Sequence, residues 1–290
     1  MLRAIISSLP SVSETFLSDV EKHGIRYISL LLTDVEEAVW QDRLTASLQV
    51  YEVLPEECLM IAGERRRIRT ASKLGIKCIG VAEPERPDAD NLFGCCEYVL
   101  ENPEEIDVSY VQRVFSRMEG IPLLITETEH LIIRELVITD VPRLCAICNQ
   151  DSVRAFIRDI GSDLQEEEEK HKAYIENAYR FFDYGYWGVY YKPTGELIGR
   201  CGIQDNAVDG RTEVELGYLL AEEYRGRGYA KEAAEAVLDY AFRKLGLSRV
   251  VAVIDKQNTA SLHVAQKCGM VWEKDIDQRS VYAISPLCSG

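Results

Sequence analysis

Positive charge is what this 290-residue chain is shortest of: 33 lysines and arginines face 48 aspartates and glutamates, a net charge of −15. The deficit is spread along the chain. Residues 1–128 carry 13 basic and 22 acidic side chains, net −9, and residues 129–290 carry 20 and 26, net −6. Both halves repel a polyanion, so no nucleic-acid partner is expected. No apolar run reaches membrane-spanning length and no secretory leader is read at the start, so no membrane partner is expected either. Histidine is scarce, with four residues, and no Cys/His cluster has metal-ligand spacing; no metal is expected. Nine cysteines without a leader read as reduced thiols, which implies a cytoplasmic location. Cys145 and Cys148 form a C-x-x-C, but "VPRLCAICNQ" reads as an amphipathic helix that buries both on one face. The adjacent Cys95 and Cys96 point different ways.

What is present suffices for a globular core. The hydrophobic content is 47%, and the length favours two domains. The first half alternates helical and strand-like segments. "SVSETFLSDVEKHG" has a helical period and a C-terminal Gly; "IRYISLLLTD" reads as a buried strand; "VEEAVWQDRLTASLQVYEVL" is helical again. The strand "CLMIAG", the helix "RRRIRTASKLG" and the strand "IKCIGVA" follow. Strands separated by helices imply a parallel, layered sheet. The basic run Arg65, Arg66, Arg67 and Arg69 reads as a solvated helix face, with Ile68, Ala71 and Leu74 turned inward.

The order of these pieces resembles a haloacid dehalogenase-like (HAD) hydrolase without a large cap. "LPEECLMIAGERRRIRTASKLGIKCIGV" is similar to that superfamily's last conserved region, "ADNLFGCCEYVLENPEEI" to its closing segment, and Thr33 stands at the place of a phosphate-binding Thr or Ser. The resemblance implies an Asp nucleophile at the end of the first strand, in a D-x-D pair. Here "AIISSLPSV" puts Ser7 and Leu9 at those positions. Glu64 is left as the lone magnesium ligand. An aspartyl-phosphate needs the missing carboxylate and the metal needs several oxygens, so residues 1–120 are expected to be a degenerate, catalytically silent, Rossmannoid domain. Residues 121–129 are expected to be a linker, within a bridging stretch "RMEGIPLLITETEH" that lacks helical period.

Residues 130–290 are organised differently. "LIIRELVITD" reads as a strand leading into a helix, and "YWGVYYKPTGELIGRCGIQ" as a hairpin turning at Pro-Thr-Gly. "SDLQEEEEKHKAYIENAYRFFDYG" is helical, its four glutamates one solvated turn. The alternating strand "TEVELGYLL" follows, then a long helix, the strand "RVVAVID", the short helix "TASLHVAQKCG" and the strand "QRSVYAIS". Between the strand ending at Leu220 and the long helix stands "YRGRGYA", Tyr224 to Ala230. A helix's first turn has unpaired N–H groups and the positive end of its dipole. Gly226 and Gly228 let an oxygen-rich group approach the main chain, and Arg225 and Arg227 add charge. Such a turn can cradle a diphosphate, although alone it can equally be a structural turn.

The spacing Arg225-x-x-Gly228-x-Ala230, the downstream "NTASLHVAQKCGMVW" and the hairpin "GELIGRCGI", in this order, resemble the GNAT acyltransferases, most of all their Rim-like group. The resemblance implies a mixed α+β fold with splayed central strands. It implies acetyl-CoA as co-substrate, its diphosphate held by the backbone of Arg225, Gly226, Arg227, Gly228, Tyr229 and Ala230. It implies main-chain contacts to the pantetheine arm from Leu219 and Leu220, and further contacts from Asn258 and Ser261. The reaction needs a neutral amine, so a base is useful. Alternation places Glu213, Glu215 and Gly217 on one strand face, with Glu215 the expected base and Glu213 the reserve. The position at which many of these enzymes carry an acidic Tyr is Ala265, leaving Ser261 or water to protonate the thiolate.

The leading expectation is therefore an N-acetyltransferase acting on a small amine, a basic peptide or a protein N-terminus by direct attack in a ternary complex. The silent first domain would scaffold, dimerise or select substrate, so a homodimer is open. Two alternatives stand beside it: a CoA-binding sensor without turnover, and a bifunctional phosphatase–acetyltransferase, which Ser7 and Leu9 disfavour.

Overall fold

The computed structural model describes residues 1–32, 35–82, 94–101, 106–157, 161 and 163–286. Thr33 and half of the closing segment proposed for the first domain (89–93 and 102–105) lie outside them. The chain divides into two compact units, Met1–Ile121 and Pro122–Gly290. Among the described residues no helix is long and apolar enough to cross a membrane.

Unit 1 runs β1 (Ala4–Ser7), α1 (Glu14–Lys22), β2 (Arg26–Ser29), α2 (Glu37–Val50), β3 (Cys58–Ala62), α3 (Arg65–Lys73), β4 (Lys77–Val81), β5 (Tyr98–Leu100) and α4 (Val108–Met118). The strands form one parallel sheet in the order β2-β1-β3-β4-β5. β1 and β3 are buried along their whole length, as a sheet covered by helices on both faces requires. Ser13 and Asp107 cap α1 and α4 by accepting from the amides of Phe16 and Tyr110. One expectation fails in α3. Arg67 does not belong to a solvated face: it is 2% exposed, its guanidinium lies 4.7 Å over the Trp40 ring, and its Nη2 donates to the Leu32 carbonyl. The aliphatic stem and the aromatic partner make that burial tolerable.

Unit 2 runs β6 (Leu124–Glu127), β7 (Leu131–Arg134), α5 (Val141–Cys148), α6 (Asp151–Arg154), α7 (Leu164–Tyr174), β8 (Tyr186–Tyr191), β9 (Glu196–Val208), β10 (Arg211–Leu220), α8 (Tyr229–Arg243), β11 (Val250–Asp255), α9 (Thr259–Lys267), β12 (Val271–Ile276) and β13 (Arg279–Ile284). The expected linker is corrected here: its residues Leu124–Glu127 are β6, paired antiparallel with β7. The eight-stranded sheet has the order β12-β13-β11-β10-β9-β8-β7-β6. Its pairings are antiparallel except β10 with β11, which run parallel and meet at a single registered pair, Glu215 opposite Val251. β10 is paired with β9 along its full length, so the sheet parts on one side of β10 only. Cys145 and Cys148 are both buried on α5. The four-glutamate turn is not wholly solvated: Glu167 is buried and accepts from the Gly161 amide and the Lys170 ammonium.

Candidate functional site

Where β10 and β11 part, a cleft of about 510 Å³ opens between the end of β10, the α6 segment, the start of α8 and one side of α9. The sequence-expected residues Leu219, Leu220, Arg225, Gly226, Gly228, Tyr229, Ala230, Asn258 and Ser261 all line it. Arg227 does not; its guanidinium lies 5.6 Å over the Tyr224 ring.

The glycines of the turn have a conformational reason. Gly226 and Gly228 have φ of +74° and +87°, the left-handed region in which a Cβ is strained. A Cβ at either would meet nothing within 4 Å, so crowding inside the chain is not what selects glycine. Gly228 is the N-cap of the 15-residue α8 and offers no side-chain oxygen to its first amides. Those amides border the cleft, together with the cationic side chains of Arg225, Lys231 and Lys267. Lys231 is paired with Glu235, and the uncapped helix terminus fits an anionic group such as a diphosphate.

Arg225 has a second occupation. Its Nε donates to the Leu220 carbonyl at 3.0 Å and its Nη1 to Ser152 Oγ at 2.6 Å. Ser152 in turn donates to Glu222, whose amide donates to Gln150 Oε1. Arg225 thus binds the end of β10 to α6, and its guanidinium is less a free phosphate ligand than a clasp. On the opposite wall Asn258 caps α9 by accepting from the Ser261 amide. The Tyr218 hydroxyl donates to the Ser261 carbonyl at 2.8 Å, which ties α9 to β10 across the opening. Tyr218 went unnoticed in the sequence, though alternation places it on the opposite face from Glu215. Ser152 carried no sequence signal.

The two candidate bases differ sharply. Glu213 accepts from Arg249 Nε at 3.1 Å, and Arg249 also makes a bidentate pair with Glu273. Glu215 accepts from Asn206 Nδ2 at 2.9 Å, with no ion pair to it among the described residues. Burial raises its pKa, opposed by the Asn206 amide, the Val253 backbone N–H and the charge of Arg279. Glu215 does not line the cleft but lies at the last registered pair before the strands part. Burial also raises the Tyr218 phenol.

A family model described as an acetyltransferase (GNAT) domain matches residues 130–271. The uncharacterized N-acetyltransferase YoaA of Bacillus subtilis is 31% identical over 148 residues, covering 50% of this chain and 81% of YoaA. The uncharacterized protein YkkB of B. subtilis is 43% identical over 90 residues, 31% of this chain; the chain spans 52% of YkkB. The spermidine N(1)-acetyltransferase of Escherichia coli K12 is 31% identical over 74 residues, covering 26% of this chain and 39% of that enzyme.

Proposed function

The chain belongs to the GNAT acetyltransferase family, and from that premise we propose that unit 2 transfers an acetyl group from acetyl-CoA to a primary amine by direct attack in a ternary complex. The observation that carries the reading is the cleft at the parting of β10 and β11, closed at one end by the uncapped first turn of α8. The amides from Gly226 to Ala230 hold the diphosphate, and the open edge of β10 at Leu219 and Leu220 takes the pantetheine arm as an added strand. Acetyl-CoA supplies the activated acyl group; the protein aligns it and manages protons. Glu215 accepts the proton lost by the nitrogen during attack, its raised pKa bringing it nearer the range in which a base works well at neutral pH. Glu213 is held by Arg249 and serves structure. Ser261, beside the cleft, stands with water as the donor to the departing thiolate.

A small amine or a peptide N-terminus is the proposed acceptor, and the similarity to a spermidine acetyltransferase makes spermidine the first to assay. For unit 1 we propose a haloacid dehalogenase-like domain without chemistry. Its support is the parallel sheet with β1 ending on the buried Ser7, whose Oγ accepts from the Leu9 amide where that chemistry needs a carboxylate.

The test is calorimetric titration with acetyl-CoA, followed by a thiol-release assay across spermidine, alkylamines and short peptides. Micromolar binding with amine-dependent thiol release is expected. Binding without release for any amine would favour the sensor alternative, and no binding would refute the cleft assignment.

A further inference from the structure

The coenzyme cleft is bare of carboxylates. The chain has 48 aspartates and glutamates, yet among the described residues none lines the cleft, whereas Arg225, Lys231 and Lys267 do. These cations differ in what they already hold. Arg225 is committed to the Leu220 carbonyl and to Ser152. Lys231 is paired with Glu235 at 2.7 Å. Lys267, exposed at the end of α9, makes no hydrogen bond or ion pair among the described residues.

Lys267 stands at a defined place along the cleft. Ala260, Val264 and Lys267 line it at helical spacing, so one stripe of α9 runs along the wall. Near the start of that stripe the Tyr218 hydroxyl donates to the Ser261 carbonyl, next to the proposed path of the pantetheine arm. At its end the thiol of Cys268, the following residue, donates to the Lys231 carbonyl at 3.9 Å, within the first turn of α8. At about 1.5 Å per residue, Lys267 lies about 9 Å along the helix axis from Ser261. Ser261 therefore flanks the arm, and Lys267 flanks the phosphate cradle.

Coenzyme A carries its negative charge in two places. A diphosphate joins the pantetheine arm to the nucleotide, and a phosphate monoester sits on the 3′-oxygen of the nucleotide's ribose. The amide cradle of α8 suits the diphosphate. A phosphate monoester carries a charge of about −1.5 to −2 at pH 7 and calls for a cation, which a lysine presents as a compact charge on a flexible stem. We propose that Lys267 binds the ribose 3′-phosphate of the coenzyme and makes the protein select CoA over 3′-dephospho-CoA. The inference rests on the acetyltransferase reading above and adds to it the residue that recognises the nucleotide end. Lys231 would have to release Glu235 to do the same, and Arg225 its clasp on α6. A lysine that is merely solvated would give no preference between the two ligands.

The experiment is calorimetric titration of wild type, Lys267→Gln and Lys267→Arg with CoA and with 3′-dephospho-CoA, at about 0.1 M salt, where exposed charges still interact over about 10 Å. The two ligands differ only in the monoester, so the ratio of their Kd values isolates it from the diphosphate and the arm. A hydrogen bond between charged groups corresponds to a ratio of about ten- to a hundredfold in wild type. Lys267→Gln should bring the ratio to within about threefold of unity by weakening CoA alone, with 3′-dephospho-CoA bound as before. Lys267→Arg keeps the cation and should keep most of the ratio. Because Lys267 is exposed and unpaired, neither substitution should disturb folding. Equal binding of both ligands by wild type, a ratio that survives Lys267→Gln, or equal weakening of both ligands in that variant refutes the proposal. The coenzyme reading fails separately: a wild type that binds neither ligand removes it, and this inference with it.

Discussion

Replacing Gly228 in two ways separates the backbone role of the turn from its role toward a phosphate. With φ at +87°, any side chain there incurs the left-handed penalty, about 1–2 kcal/mol. Since a Cβ would meet nothing within 4 Å, Gly228→Ala should cost that strain in stability and little else. The strain is present with or without ligand, so acetyl-CoA affinity should change less than about threefold. Gly228→Glu carries the same strain and adds a carboxylate at the mouth of the amide cradle. At roughly 6 Å and an effective dielectric near 20, each carboxylate–phosphate pair repels by about 3 kcal/mol. Salt and side-chain rotation reduce the sum over two phosphate charges, and about 3 kcal/mol is a conservative remainder, about a hundredfold in Kd. Calorimetry on both variants, with thermal unfolding as the control, reads the difference. Equal weakening by Ala and Glu would mean that backbone conformation rather than charge governs binding, and unaltered binding in both would place the diphosphate elsewhere.

The two glutamates of β10 should behave oppositely. Glu215→Gln is expected to lower kcat by roughly 10²–10⁴-fold without changing the Kd for acetyl-CoA, whereas Glu213→Gln should leave turnover within about threefold and forfeit at most about 1 kcal/mol, since its Arg249 partner is about a third exposed. Glu215→Gln also has a stability signature. Its folded pKa is raised above 4.5 by burial, so the folded state binds the extra proton, and wild-type stability falls as pH rises from 4.5 through the folded pKa. Urea unfolding across that window should show the decline in wild type and a flatter line in the variant; parallel lines would show that Glu215 is not desolvated. Within the hairpin, a Cβ on Gly202 would press into the Gly185 carbonyl, so Gly202→Ala should cost about 3 kcal/mol or more. Gly210→Ala, at positive φ in open space, should cost only about 1–2 kcal/mol. Equal losses in unfolding experiments would contradict the close approach of β8 and β9.

The features legible in the sequence are those whose causes are local. The helical period and terminal Gly of α1, the buried runs of β1 and β3, and the Pro-Thr-Gly turn between β8 and β9 each depend on a few consecutive residues. The turn at Gly226 and Gly228 is legible for the same reason: positive φ, the missing cap and the following helix lie within one short stretch. β6 was not legible, because four residues without a marked pattern become a strand only through pairing with β7. Arg67 was misread for the converse reason. Its helix period suggested solvent, and the Trp40 ring that makes burial tolerable is 27 positions earlier in the chain.

The same distinction divides the proposed active site into a readable half and an unreadable one. A diphosphate is held by backbone amides, so its cradle needs only a sequence that sets φ and leaves a helix uncapped. Side-chain choices at a base need partners, and partners come from anywhere. Alternation placed Glu213 and Glu215 on one face as near equals; Arg249, 36 positions from Glu213, is what separates them. Arg225 read as a phosphate ligand until Ser152, 73 positions earlier, claimed its Nη1.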